Sequence, residues 1–189
     1  MMPPWYPFRN QTFIISTPPS DTDIMQPNMQ KYQLTKDEMY ALIDRAKMAV
    51  ISTIGEDGYP YGTPINFVRI GDDIYFHGRK VGEKVSNLKA NPRCCLTIVE
   101  ENGFEYCGEG ACNTTSLYES VIIRGQVETV EDIECKKKIL RATVDKLTPE
   151  RKMDAIEDNK VPPTGIYKIK IESMTGKYHR PEPGHKVMH

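Results

Sequence analysis

YPYGTPINFVRIGDDIYFHGRKVGEKVSNLKANP, residues 59–92, decides how this chain folds. Tyr61–Arg69 is rich in aromatic and branched residues and reads as a strand. Gly71-Asp72-Asp73 turns the chain back into a second strand, Ile74–His77. Arg79, Lys80 and Lys84 follow just past the end of that strand, with Gly78 and Gly82 among them. Glu83–Ala90 reads as a short helix stopped by Asn91-Pro92. A phosphate held against a sheet needs charge-assisted donors and open backbone N–H groups, and this loop offers both. On these residues alone, an ordinary solvated basic loop is the alternative.

Working outward, Thr35 and Glu38 have the spacing of a capping box. It predicts a helix over 36–46, with Met39, Leu42, Ile43 and Ala46 on one face. MAVISTI, residues 48–54, predicts a buried strand, and Glu56-Asp57-Gly58 a hairpin turn into Tyr61–Arg69. RCCLTIV, residues 93–99, and YESVIIRGQVETV, residues 118–130, predict two more strands, with Gly125 as a bulge or a point of close approach. Residues 132–147 are amphipathic with helical spacing, and residues 149–158 predict a further helix. GIYKIKIES, residues 165–173, alternates as a half-buried strand. Five or six antiparallel strands with helices at the start, middle and end predict a mainly β (β or α+β) fold, a small antiparallel barrel with flanking helices.

The chain has 189 residues and a formal net charge of −1, with its charges interspersed. One domain is expected over residues 32–177, preceded by an extended arm over 1–31 and followed by a tail over 178–189. The arm holds six prolines and the single Trp5, and its aromatics are expected to pin part of it to a surface. No basic face points to nucleic acid, and no apolar run has the ~18 residues that cross a bilayer. The N-terminus lacks the pattern of a signal peptide, so a cytoplasmic location with no membrane partner is expected. Five cysteines in such a chain predict free thiols. No metal site is expected. Cys107 and Cys112 have an unusual zinc spacing, and His179, His185 and His189 lie in a Gly/Pro-rich tail.

Four groups of residues are candidates for chemistry. The basic loop with Arg79, Lys80 and Lys84 is the first. His77 is the second, either as a site residue or as a histidine satisfied by a carbonyl. The third is Thr63-Pro64-Ile65-Asn66-Phe67, where Pro64 cannot donate to a ladder and so marks an edge or a bulge. Tyr118, Ser120 and Val121 form the fourth, with Arg124 on the same face as Ser120. Phosphate-loop, dinucleotide-fingerprint, nucleophile-elbow and zincin motifs are absent from the sequence.

The order of these pieces resembles the pyridoxamine 5′-phosphate oxidase-like flavoproteins, within them the nitroimidazole-resistance type. The resemblance runs through MAVISTIGEDGYPYGTPINFV, IYFHGRKVGEK, NLKANPRCCLTI, SVIIRGQVETVED and IKIESMTGK, and covers about residues 32–177. It implies an antiparallel split β-barrel that forms a homodimer and binds FMN at two sites across the subunit interface. It implies that Lys84 grips the FMN phosphate, with Arg79 or Lys80 supplying a second charge. His77 and Gly78 would lie beside the cofactor, and the backbone of Thr63 through Phe67 would run past the isoalloxazine. Ser120 and Val121 would approach from the other subunit. The chain has Glu83-Lys84 where the vitamin B6 oxidases have Arg-Lys, and its tail lacks their C-terminal Arg and His motif. Both departures point away from pyridoxamine phosphate as substrate. The expectation is an FMN-dependent oxidoreductase passing electrons from a small donor to a small acceptor, nitroaromatic or quinone-like. His77 and then Tyr118 are the candidate catalytic residues. The rival expectation is a non-catalytic flavin- or haem-binding carrier or sensor, or a barrel that has lost its cofactor.

Overall fold

Apolar residues at alternate positions give each strand one dry face, and a sheet with one dry face can bury it by closing on itself. The structure, a computed structural model, describes residues 30–188. In chain order it has α1 (Lys36–Arg45), β1 (Met48–Ile54), β2 (Pro60–Ile70), β3 (Asp73–Gly78), α2 (Glu83–Ala90), β4 (Arg93–Tyr106), β5 (Thr114–Val130), α3 (Ile133–Leu147), β6 (Gly165–His179) and β7 (Lys186–Met188). All pairings are antiparallel, in the order β1-β2-β3-β6-β5-β4-β7. A short seam between β1 and β4 closes the ring through Val50↔Thr97, Ile51↔Leu96 and Ser52↔Cys95. The result is the split barrel with flanking helices that the sequence predicts.

The inside of the ring is the core. Ile51, Phe67, Ile74, Phe76, Leu96, Ile98, Val121, Ile123 and Ile169 are fully buried there. Each such side chain contributes about 1.5–3 kcal/mol of transfer free energy. Leu42 and Ile43 of α1 and Val85 and Leu88 of α2 join the same core. The predicted capping box starts α1: Glu38 N–H donates to Thr35 Oγ1, and Thr35 N–H donates to Glu38 Oε2 at 2.8 Å. α3 packs outside the ring, where Ile139 meets Val68 and Ile166. From its last turn, Lys146 Nζ donates to the Ile43 carbonyl at 2.9 Å and lies 3.9 Å from the Phe67 ring centroid. Burial, chiefly, lowers its pKa to about 8.

Gly125 sits at the register shift between β5 and β6, as its sequence context predicts. A Cβ there would stand 2.3 Å from the Lys170 carbonyl oxygen, so only glycine lets the two strands approach.

Three expectations are corrected. The helix predicted over 149–158 is two short 3-10 turns, Pro149–Arg151 and Asp158–Lys160. Arg141 of α3 takes the carbonyls of Lys152 and Asp154, acceptors that a helix would use internally. The strands predicted over 93–99 and 118–130 run on to Tyr106 and start at Thr114, respectively. They continue as a hairpin past a register shift between Glu101 and Phe104, in a polar stretch without alternation. The strand predicted to end at Ser173 reaches His179, and the chain then returns through Gly184 (φ 91°) as β7 beside β4. Arg180 secures this return, bonding Glu119 and Glu38 at 2.9 Å each. The arm expected over 1–31 lies, to residue 29, outside the described residues.

Gly125→Ala is expected to cost roughly 1–3 kcal/mol, the range for forced overpacking, read as a lower denaturant midpoint with an unchanged slope. Lys146 makes a second prediction. Its folded pKa lies below its unfolded one, so between pH 8 and about 10.5 the unfolded chain binds more protons. This group's contribution to stability therefore rises with pH across that window. Urea midpoints of the native protein should show this rise over Lys146→Met, whose profile should be flatter.

Candidate functional site

The β2–β3 ladder is short. It runs from Phe67↔Phe76 to Ile70↔Asp73 and stops. Before Phe67, β2 keeps β1 as partner, from Met48↔Asn66 to Ile54↔Pro60. After Phe76, β3 keeps β6, through His77↔Ile166 and Gly78↔Gly165. Among the described residues, 60–66 of β2 therefore have one edge outside any ladder, and Pro64 lies in that stretch. An open edge leaves backbone groups free for another partner.

The basic loop begins where the ladder splits. Lys84 is the second residue of α2, half-buried, with its Nζ 5.1 Å from the Phe76 ring centroid. Burial lowers its pKa, and among the described residues no carboxylate pairs with it. A partly desolvated ammonium without a counter-charge is costly, and an anion would relieve that cost. Gly82, at φ 118°, precedes α2 and supplies no side-chain cap, so the first-turn N–H groups lack a side-chain acceptor. The exposed Arg79 guanidinium has no hydrogen bond or ion pair among the described residues, whereas Lys80 lies 4.0 Å from Glu131. Glu83 is exposed and stands in the first turn, where the helix dipole favours an acid.

Tyr167 is the residue that the sequence reading missed. It stacks on Phe76 with centroids 5.0 Å apart and planes at 19°, and its hydroxyl donates to the Arg79 carbonyl at 3.0 Å. It thus ties the basic loop to the barrel wall. The alternation of GIYKIKI places Tyr167 on the inner face with Ile169, but a partner 88 residues away leaves no mark in the local pattern.

His77 projects from the outer face of β3, and its pKa is lowered first by burial and then by the Lys84 charge. It is therefore neutral at pH 7. It borders a cavity of about 440 Å³ whose other walls include Thr143 and Val144 of α3 and Ile156 and Lys160 beyond it. That volume suits a small molecule.

The remaining candidates divide by face. Ile65, Phe67 and Val121 are core side chains, so a ligand could meet only their backbone. Thr63 Oγ1 is shut off from solvent and has no hydrogen-bond partner among the described residues. Asn66 donates to the Lys47 carbonyl at 2.8 Å. Ser120 lies on β5 between Val99 and Lys177 in the ladders, and the Lys177 ammonium lies 5.5 Å from the Tyr118 ring centroid. Among the described residues no hydrogen bond, ion pair or ring contact joins Tyr118 or Ser120 to the 77–84 group. The ladder row Pro64↔Val50↔Thr97↔Ile122 crosses between them. Along this side of the barrel Met48, Val50, Ile54, Val99 and Ile122 are exposed apolar side chains, 39–60% accessible.

Comparison with known proteins agrees with this architecture. A candidate 5-nitroimidazole antibiotic resistance protein from Bacteroides thetaiotaomicron is 26% identical, with a TM-score of 0.68 over 77% of this chain and 86% of that one. The flavocytochrome Anf3 from Azotobacter vinelandii is 24% identical, with a TM-score of 0.73 over 86% of this chain and 75% of that one. An FAD and haem binding protein from Mycobacterium smegmatis is 20% identical, with a TM-score of 0.71 over 79% and 74%. Among curated protein sequences none matches. The family model described as pyridoxamine 5′-phosphate oxidase matches residues 35–178, which hold the whole ring of strands, the basic loop and the open edge of β2. By that match the chain belongs to the pyridoxamine 5′-phosphate oxidase family.

Proposed function

We propose that this protein is a flavin-binding oxidoreductase that takes FMN at the split between β2 and β3 and passes electrons to a small nitroaromatic or quinone-like acceptor. The observation that carries this reading is Lys84, a half-buried cation with no carboxylate partner among the described residues, beside a helix start without a side-chain cap. Lys84, the first-turn N–H groups of α2 and the Arg79 guanidinium would hold the phosphate. The open edge of β2 over Thr63–Asn66 would offer backbone groups to the ring system. The bound flavin supplies the electron transfer, and the chain supplies anchorage, orientation and a shaped cavity. Neutral His77, on the cavity wall, can hold or give a hydrogen bond at the acceptor without adding charge. The flavin- and haem-binding neighbours and the nitroimidazole resistance neighbour support the reading.

The exposed apolar strip on β1, β4 and β5 supports a homodimer. Such a strip is costly in water, and a two-fold pairing covers it in both copies at once. Pairing there would bring β5 of a second copy towards the split, with Tyr118 half-exposed on it and Ser120 buried, so that Ser120 would contribute through its backbone. A carrier or sensor that binds flavin or haem without turnover is the second reading, favoured by the two haem-associated neighbours. The two separate by absorbance of the purified protein and by its bleaching with NADH or NADPH. A Soret band, or a flavin that neither nicotinamide reduces, favours the carrier.

Lys84→Glu is expected to lower the flavin content of the purified protein more than tenfold, while Lys84→Arg keeps most of it. Equal flavin content in native protein and Lys84→Glu would sink the phosphate anchor. Paired Val50→Asp and Ile122→Asp substitutions are expected to yield monomers by light scattering, with flavin lost in parallel. Monomers that keep a full complement of flavin would show that the site is complete within one chain.

A further inference from the structure

Away from the split barrel's candidate site, the C-terminal return of the chain builds a second cluster. Glu105, near the end of β4, is a carboxylate only 1% exposed. β7 lies beside it, with Glu105↔Val187 in register. His185 Nδ1 lies 2.8 Å from Glu105 Oε1, and His179 Nε2 lies 3.0 Å from Glu105 Oε2. The Glu182 N–H also donates to Oε1, at 2.6 Å. Cys107, two residues after Glu105, completes the group. A carboxylate oxygen of Glu105, Cys107 Sγ and an imidazole nitrogen of His185 all lie within 4.8 Å of one another.

We propose that Glu105, Cys107 and His185 form a binding site for a divalent transition metal of the zinc class. The donor set is one oxygen, one sulfur and one nitrogen, which suits zinc rather than magnesium or calcium. Zinc–ligand bonds of about 2.0–2.3 Å set donors roughly 3.3–3.8 Å apart in a tetrahedron, so the His185–Glu105 contact at 2.8 Å would open and give way to two metal bonds, with the sulfur, within 4.8 Å of both, drawn in. Cys107 is exposed and follows the last residue of β4, so it is placed to make that movement. His179 is a positioning residue: its ring holds the far carboxylate oxygen and fixes the orientation of the near one. The fourth position is left to water.

Charge also favours a cation. The buried Glu105 carboxylate brings a negative charge to the group. A divalent cation between these groups displaces the Cys107 thiol proton to solvent and forms the metal–thiolate bond. The ligands come from β4 and the residue after it, and from the turn before β7. Metal binding would therefore clasp the C-terminal return onto the long hairpin. This role is independent of the flavin reading.

The test uses untagged full-length protein, stripped with a chelator and titrated with Zn²⁺ against a competing dye, with Co²⁺ as spectroscopic probe. One equivalent of Zn²⁺ is expected, bound at least tenfold more weakly by Cys107→Ser and by His185→Ala. Co²⁺ should give a thiolate charge-transfer band that Cys107→Ser abolishes. Far-UV circular dichroism and urea midpoints, unchanged in both metal-free variants, report that they fold. If the native protein binds less than half an equivalent, or the folded variants bind as tightly as native protein, the site is overturned. A Co²⁺ complex without a thiolate band would likewise remove Cys107 from the donor set and overturn it.

Discussion

Closure of the ring at β1 and β4 is the constraint on which the rest depends. The seam has only three residue pairs, Val50↔Thr97 to Ser52↔Cys95, yet it turns a sheet into an enclosed core. Once closed, the inner positions of all six strands share one water-free space, and the apolar area they bury is the main stabilising term. Leu42 and Ile43 of α1 and Val85 and Leu88 of α2 add to the same space from outside the strands. Without the seam, β1 and β4 would each present an unpaired edge.

The same closure creates the candidate site. The strands cannot stay paired along their full length, and β2 and β3 part after Phe67 and Phe76. The parting leaves an open β2 edge beside a loop that already carries Arg79, Lys80 and Lys84. Tyr167 holds that loop by its carbonyl, and burial of Lys84 near Phe76 leaves a cation in need of a counter-charge. Rigid placement of an unsatisfied charge is what an anion site would require, and the burial that leaves Lys84 so placed comes from the fold.

Much of this was legible in the sequence. The helix start at Thr35 and Glu38, the β1 span, the short helix over 83–90 and the special place of Gly125 rest on local chemistry: a cap, alternation, a proline stop and the absence of a Cβ. The Lys84 candidate was legible too, because a basic residue opening a short helix after a strand is a local pattern. The chain extending past Val99 and Ser173 was not, since polar and glycine-rich residues there form strands only because a neighbouring strand is present to pair with them. The region 149–158 failed in the other direction. Its helix-forming residues lost their carbonyls to Arg141, a competitor from another element.

By itself, then, the sequence determined the order and type of the elements in the barrel, because periodicity and capping act within a few residues. It also determined which residues carry charge near the end of β3. Tertiary structure alone decided which charges lack a carboxylate partner among the described residues, as Lys84 does, and which are satisfied, as Lys136 is by Glu131 and the Thr164 carbonyl. It alone brought Glu105, Cys107, His179 and His185 together across some 80 residues of chain. The physical reason is one of range. Propensity and alternation act between neighbours in sequence, whereas desolvation, ion pairing and ligand geometry depend on what the closed barrel places next to each group in space.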